Sequence, residues 1–174
     1  MTRSRPITFL AGAAVIPIAA LALAACGGGG NAATAATPKT SSGASATVGV
    51  ANSGLGSILV DSTGHTLYLF KADVGAKSAC TGACATAWPP LLAKGKPTAG
   101  TGLTASELGT IKRSGGNRQV TYNGHPLYLF IKDQKAGQTT GQGVTAFGAP
   151  WFALTPSGTQ ASGTASSSGG GYGY

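Results

Sequence analysis

Two apolar runs joined by a turn open the part of the chain that we expect to fold. Residues 57–61 and 66–70 are rich in Ile, Leu, Val, Tyr and Phe, and the turn between them contains Gly64. Apolar runs joined by a short glycine-containing turn are typical of a β-hairpin. Within the second run, Tyr68 and Phe70 leave one face of the strand while leucines leave the other. Because both faces are apolar, we predict a central strand that is covered on both sides.

The same pattern returns sixty residues later. Residues 64–73, GHTLYLFKAD, match residues 124–133, GHPLYLFIKD, at seven of ten positions. The second copy predicts another hairpin, with strands at 119–122 and 127–131, and the duplication indicates two copies of one structural unit. The repeated residues other than leucine are Gly64, His65, Tyr68, Phe70 and Asp73 in the first copy and Gly124, His125, Tyr128, Phe130 and Asp133 in the second.

The duplication predicts the fold class. We expect a mainly β domain at residues 55–157, made of two hairpin repeats with a pseudo-twofold relation and one or two short helical turns. Repeat one is expected at about 55–100 and repeat two at about 115–157. Each repeat continues through a polar loop to a tryptophan, Trp88 or Trp151.

One short helix is predicted between the repeats, at residues 104–108. Thr104 has the side chain of an N-cap, and Glu107 stands three residues later. This spacing is the sequence pattern of a capping box, in which the two side chains bond each other's backbone N–H groups.

The first 25 residues predict an export signal. Two arginines precede the apolar stretch 7–22, which is too short and too closely followed by glycines for a transmembrane helix. Residues 23–26, LAAC, have the pattern of a bacterial lipobox, in which cleavage before Cys26 frees the cysteine to receive a diacylglyceryl group. The alternative is an ordinary signal peptide followed by an incidental cysteine.

Low-complexity segments flank the predicted domain. Residues 26–54 and 158–174 consist mainly of Gly, Ala, Ser and Thr, which bury too little apolar surface to offset their ordering entropy. We expect a flexible tether and a flexible tail. With lipid on Cys26, the protein would be anchored to the cell membrane on its extracytoplasmic face. Apart from this covalent lipid, no cofactor is expected.

The two remaining cysteines, Cys80 and Cys84, form an even pair in an exported chain. Such a pair predicts a structural disulfide, because the compartment is oxidising and the spacing brings both sulfurs onto one turn. A redox-active pair or half of a metal site remains the alternative. Two thiols fall short of a tetrahedral zinc site, so no metal site is assigned.

The chain is basic, with a formal net charge of +8. The candidate partners of a basic segment are anionic lipid or a cell-wall polymer, although it can also be a solvated connector. Nucleic acid is not expected, because no aromatic residues interleave with the lysines. Five of the basic residues lie between the repeats: Lys94, Lys96, Lys112, Arg113 and Arg118.

The repeated polar residues favour a structural role over catalysis. Asp73 and Asp133 occupy equivalent positions, whereas an acid–base pair needs two different environments. Each aspartate is expected to cap backbone N–H groups of a loop. His65 and His125 could bind metal or haem if the pseudo-twofold brought them together. The sequence contains no nucleophile elbow, phosphate-binding loop or HExxH motif, so no catalytic residue is assigned.

Several motifs together resemble one family. The patterns YxFxxD at 68–73 and 128–133, the CTGAC segment before Trp88 and the closing WF at 151–152 are similar to predicted bacterial lipoproteins. These are built of a tandem secreted repeat of unknown function. The resemblance implies an envelope location and a two-repeat architecture, and it implies no activity.

Three functional hypotheses follow. The leading one is a lipid-anchored extracytoplasmic module that binds a partner or supports the envelope without catalysis; its protein partner is unknown. The second is a redox or metal/haem-associated envelope protein that uses Cys80, Cys84 and the histidines. The third is an enzyme of unrecognised type, in which Asp73, Asp133 and the tyrosines would have to meet in one pocket.

Overall fold

The computed structural model describes residues 45–164, which form short β-strands and two brief helical turns. The α-helix α1 covers Ala83–Ala87, and a 3₁₀ turn covers Ala105–Glu107. This composition confirms the mainly β class. The strands are β1 (Thr47–Ser53), β2 (Gly56–Asp61), β3 (Tyr68–Phe70), β4 (Thr98–Ala99), β5 (Leu108–Lys112), β6 (Arg118–Tyr122), β7 (His125–Pro126), β8 (Thr145–Ala146) and β9 (Ala149–Ala153).

The strands form three small sheets, with the orders β2-β1-β4, β3-β9-β8 and β5-β6-β7. Strands β1 and β2 are antiparallel, and β4 adds to β1 in the parallel direction. In the second sheet, Leu69 of β3 stands opposite Phe152 of β9, so the end of repeat two pairs with the repeated strand of repeat one.

Both predicted hairpins are present but short. In the first, the N–H of Leu67 donates to the carbonyl of Leu59 at 2.9 Å, and beyond this point β3 leaves to pair with β9. In the second, β6 pairs with β7, and the N–H of Leu127 donates to Val120 at 3.0 Å. The turns therefore join the strands as predicted. Beyond the turn, the second strand of each hairpin pairs with residues of the other repeat.

Strand β3 separates two hydrophobic clusters, which confirms the prediction that both of its faces are covered, although it lies at one end of the sheet β3-β9-β8. Tyr68 and Phe70 pack in one cluster with both tryptophans. Leu67 and Leu69 pack in the other, together with leucines and valines of the remaining strands. Alternation along an extended strand sends successive side chains to opposite faces, so one short segment contributes to both cores.

The predicted tether boundary at residue 54 is wrong, because β1 lies within the segment 26–54. Val48 of this strand is fully buried in the leucine-rich cluster. The sequence did not predict this strand, because TVGVANS contains only two valines among small residues. The strand is stabilised by pairing with its neighbours in the sheet, which its composition does not reveal. The earlier part of the tether lies outside the described residues, as do the export signal and Cys26.

The predicted tail also begins too early. The N–H of Ala161 donates to the carbonyl of Ala153 at 2.7 Å, and Ala161 is buried. The buried side chain of Gln142 donates to the carbonyls of Ala161 and Gly163 at 2.9 and 3.1 Å. Residues 158–163 therefore belong to the folded domain, held by backbone pairing that their small side chains do not reveal. Residues 165–174 lie outside the described residues.

The predicted capping box is wrong. The segment forms the 3₁₀ turn Ala105–Glu107, and the Thr104 side chain makes no capping hydrogen bond. Instead the N–H of Glu107 donates to the backbone carbonyl of Thr104 at 3.0 Å. The turn is too short for a capping box because Leu108 is already extended and begins β5.

Candidate functional site

The two repeated tyrosines meet at the centre of the domain. The N–H of Tyr68 donates to the carbonyl of Tyr128 at 2.9 Å, and the N–H of Tyr128 donates to the carbonyl of Tyr68 at 3.0 Å. This reciprocal pair joins equivalent residues of the two repeats in antiparallel fashion. It therefore marks a local pseudo-twofold relation between the copies of the motif.

Each tyrosine hydroxyl bonds the aspartate of the other repeat. Tyr68 Oη donates to Asp133 Oδ2 at 2.5 Å, and Tyr128 Oη donates to Asp73 Oδ2 at 2.8 Å. Both tyrosines are fully buried. The sequence did not predict that each tyrosine would pair with the aspartate of the other repeat. We call these two bonds the crossed Tyr–Asp pairs.

The second oxygen of each aspartate holds the loop that follows it. Asp73 Oδ1 accepts from the N–H of Ala79 at 2.7 Å, and Asp133 Oδ1 accepts from the N–H of Thr140 at 3.0 Å. Each carboxylate therefore links a loop of its own repeat to the tyrosine of the other. The side chains perform the loop-capping task expected from the sequence, and they also connect the repeats.

Burial shifts the pKa values of all four groups in these pairs. It raises the pKa of Asp73 and of Asp133, while hydrogen bonds from the loops and tyrosines oppose the change. It also raises the pKa of both tyrosines, and the neighbouring carboxylates act in the same direction. The tyrosines are consequently held as neutral donors, and the arrangement suits a fixed hydrogen bond better than a nucleophilic phenolate.

Four aromatic rings stack beneath the crossed pairs in the order Phe130, Trp88, Trp151 and Phe70. Each neighbouring pair has ring centroids 4.0 Å apart. The tyrosines meet the stack edge-on, at 5.4 Å from Trp88 for Tyr68 and 5.1 Å from Trp151 for Tyr128. Each phenylalanine thus lies on the tryptophan of the other repeat, so the aromatic core is crossed in the same way as the polar pairs.

Cys80 and Cys84 are joined in a disulfide bond, with their Cα atoms 5.2 Å apart. Cys80 is fully buried, and Cys84 is 5% exposed at the start of α1. Both pack in the same cluster as Trp88. The bond therefore closes the loop that leads to the tryptophan and has little access to solvent.

Arg113 fastens this loop, a role that the sequence did not reveal. Its guanidinium donates to the carbonyl of Cys80 and, at 2.6 Å, to the hydroxyl of Ser78 and the side chain of Gln119. Ser78 Oγ also lies 2.8 Å from Tyr128 Oη, whose single proton is donated to Asp73. In the sequence Arg113 belongs with the connector lysines, because charge alone does not distinguish an internal arginine from a solvated one.

The two histidines lie in separate surroundings. His65 contacts Thr63 at 2.7 Å and Asp61 at 3.8 Å. His125 lies near Lys71 and Asp73, and burial lowers its pKa, with Lys71 acting in the same direction. Across residues 45–164, no three histidine, cysteine or acidic side chains converge to hold a metal ion.

The glycines of the motif serve the turns. Gly64 and Gly124 have φ values of +85° and +78°, which side chains other than glycine's rarely adopt. At Gly64 a Cβ atom would also lie 2.9 Å from the Cβ of Ala136 in repeat two. The first turn is thus a further contact between the repeats.

Comparison with known proteins identifies the repeats. A family model described as "secreted repeat of unknown function" matches residues 49–92 and 109–155, about half of the chain. The matched regions begin before both predicted repeat starts and contain both copies of the motif. Searches of curated proteins and of solved structures gave no match. In the part of the chain that the structure describes, no helix is long and apolar enough to cross a membrane. The chain therefore belongs to the family of secreted repeats of unknown function, and it is an extracellular protein of two tandem repeats.

Proposed function

We propose that the protein is a lipid-anchored module on the extracytoplasmic face of the cell membrane. It would bind or support another envelope component and catalyse no reaction of its own. The lipobox ending in Cys26 supports the anchor. One observation supports the binding role. The aspartates accept hydrogen bonds from groups within the domain, so the charged groups left at the surface are mainly basic.

The hydrogen bonds of the aspartates show that these acidic side chains are used within the domain. Asp73 and Asp133 accept the tyrosine hydroxyls, and Asp61 accepts hydrogen bonds from the N–H groups of Thr63 and His65. Asp61 also lies 3.8 Å from His65 Nδ1, and no salt bridge to a connector lysine is found within residues 45–164. The lysines of the connector are therefore not neutralised by ion pairs in this part of the chain.

The burial of the repeated motif supports a role without catalysis. Tyr68 and Tyr128 have no exposed surface, and their hydroxyls are bonded to aspartates whose other oxygens hold loops. A substrate could reach these groups only after the core opened. The redox alternative has similar difficulty, because the disulfide is buried against the aromatic stack.

Anchoring is tested by substituting the proposed lipidation site. We expect the wild-type protein to partition into the detergent phase of a cell extract. Cys26→Ala should leave an uncleaved precursor or release the protein, because alanine has no thiol to carry the lipid. Labelling with a fatty-acid analogue distinguishes these outcomes from simple misfolding. Labelling that persists in the variant would overturn the anchor.

A role in binding is tested by crosslinking in intact envelopes followed by recovery of the full-length protein. The expected result is a recurrent envelope component whose recovery survives Asp73→Asn, because the motif would support the fold and make no contact with the partner. Loss of that component in a variant that melts like the wild type would instead give the motif a direct role in the site.

A further inference from the structure

We propose that the surface around the β5–β6 hairpin binds an extended polyanion whose charges are phosphate groups, such as a phosphodiester-linked wall polymer. This inference rests on the proposed binding function and names the ligand class. It follows from two basic grooves and from the like charges that lie between them.

The first groove lies between the loop 94–97 and the hairpin and has a volume of about 310 Å³. Lys94, Lys96 and Arg118 line it, and no acidic side chain is among its lining residues. Thr110 Oγ1 accepts from Arg118 Nε at 3.0 Å and from its Nη2 at 2.5 Å, which fixes the orientation of the guanidinium while its remaining N–H groups stay available. Two ammonium groups and an oriented guanidinium are the donors that phosphate oxygens require.

The second groove lies between the disulfide loop and the same hairpin and has a volume of about 340 Å³. Lys77 comes from the disulfide loop, Lys112 comes from β5, and here too the lining contains no acidic residue. Arg113 also lines this groove, but its guanidinium already bonds Ser78, Gln119 and Cys80. Lys77 and Lys112 therefore supply the charge for a ligand.

Lys112 and Arg118 connect the two grooves. They stand directly opposite each other in the β5–β6 register, so their side chains leave the same face of the hairpin. Like charges at opposite positions of an antiparallel pair are destabilising. A destabilising pair of this kind, with no compensating contact in the structure, is expected at a functional site. An anion lying across the pair would remove the repulsion.

The walls of the first groove are held in place by the fold. The N–H of Ala93, before the lysines, donates to the carbonyl of Arg118 at 3.0 Å, and the N–H of Thr98, after them, donates to Ala46 at 2.9 Å. Both ends of the lysine loop are therefore fixed, which lowers the entropic cost of binding. Two successive concave sites suit a flexible chain with repeating charges better than the flat surface of a membrane.

The test is a titration of the full-length protein, purified in detergent, with synthetic poly(glycerol phosphate) of defined length. We expect saturable binding that weakens as salt is added. Lys94→Glu with Lys96→Glu should weaken it at least about tenfold, because two phosphate contacts become repulsive. The matched control is Lys71→Glu with Lys135→Glu, which changes the net charge equally at exposed positions outside both grooves, and it should change binding less than about twofold.

A second variant separates binding from folding. Lys112→Glu places opposite charges across the hairpin, so it should raise the melting temperature while weakening polymer binding severalfold. A polyglutamate chain of equal charge should bind more weakly than the phosphate polymer. Vesicles containing phosphatidylglycerol, compared with phosphatidylcholine vesicles, test the membrane as the alternative ligand.

Each contrary outcome overturns the proposal. No saturable binding, equal losses in both double variants, or unchanged binding in Lys112→Glu would show that the grooves form no specific site. Anionic vesicles that bind as tightly as the polymer would identify a membrane surface instead. Because the titration is done in detergent, it succeeds or fails independently of the anchor, which is measured by labelling of Cys26.

Discussion

The two repeats share their strands and aromatic residues but differ in the loops that follow the motif. In repeat one the loop is closed by the Cys80–Cys84 disulfide and fastened by Arg113. In repeat two the equivalent loop has no cysteine. The hydroxyl of Thr66 donates to the carbonyl of Gln138 at 2.6 Å, and the N–H of Gly141 donates to Tyr68 Oη at 3.2 Å.

This difference distinguishes the residues that must be the same in both repeats from the loops, which can differ. Residues that cross between the repeats must match in both copies, because each tyrosine needs the aspartate of the other. The loops need only supply an N–H group to that aspartate, so they can be stabilised by unlike means. The basic grooves lie between the β5–β6 hairpin of repeat two and two other segments, the disulfide loop of repeat one and the connector.

Removing a tyrosine ring should have the largest effect on stability. Tyr68→Ala and Tyr128→Ala should each lower the free energy of unfolding by about 3–5 kcal/mol, because both rings are fully buried against the aromatic stack. The two losses should be similar if the repeats contribute equally to the core. Chemical denaturation measures both. Variants that unfold at the same denaturant concentration as the wild type would contradict the shared core.

Removing only the hydroxyl should have an intermediate effect. Tyr68→Phe leaves an aspartate without its donor and the N–H of Gly141 without its acceptor, which should cost about 1–3 kcal/mol. Tyr128→Phe should cost less, because Asp73 is less buried than Asp133 and water can replace the lost donor more easily. Thermal unfolding of both variants tests the order, and the reverse order would show that burial of the aspartate does not determine the cost.

Breaking the disulfide should have a smaller effect and should act on one repeat. It closes a very short loop, so reduction should lower stability by about 2 kcal/mol or less. Exchange of the Ala79 amide with deuterium should accelerate, while exchange at Thr140 should not change. The control is Cys80→Ala with Cys84→Ala, which should not respond to reductant. Equal acceleration in both loops would contradict their independent support.

The pH dependence of the crossed pairs should be the smallest effect. Burial raises the pKa of Asp133, so its folded state binds the proton more tightly than the unfolded chain does. Its contribution to stability is therefore full below the unfolded pKa and is lost as the pH rises through the folded pKa. The stability of wild type relative to Asp133→Asn should increase as the pH falls from about 7 to about 4. A decrease over this range would show that the folded pKa lies below the unfolded value.

Much of the architecture could be predicted because the duplication is visible in the sequence. The alternation in LYLF placed tyrosine and phenylalanine on one face and leucine on the other, and β3 has this arrangement. The crossing of the Tyr–Asp pairs could not be predicted. A tyrosine could bond the aspartate of its own repeat or that of the other repeat, and both arrangements place the same residues at the ends of the strands. Strand β1 was missed since its burial comes from two valines and from pairing with β2.

The candidate binding surface was only partly predictable. The lysines between the repeats were visible as a basic segment, but two facts depended on the fold. Arg113 turns inward to hold the disulfide loop, and Lys112 stands opposite Arg118. Register and side-chain direction are set by tertiary contacts, so charge along the chain indicates a basic region but does not show which charges face a ligand.

The crossed Tyr–Asp pairs are tested most directly by a double-mutant cycle on the hydroxyl of Tyr68. Tyr68→Phe is combined with Asp133→Asn in one cycle and with Asp73→Asn in the other, and the free energy of unfolding is measured for every variant. The account predicts a coupling of about 0.5–3 kcal/mol with Asp133, and with Asp73 a value within about 0.5 kcal/mol of zero. A larger coupling with Asp73 than with Asp133 would show that each repeat pairs within itself and would contradict the account.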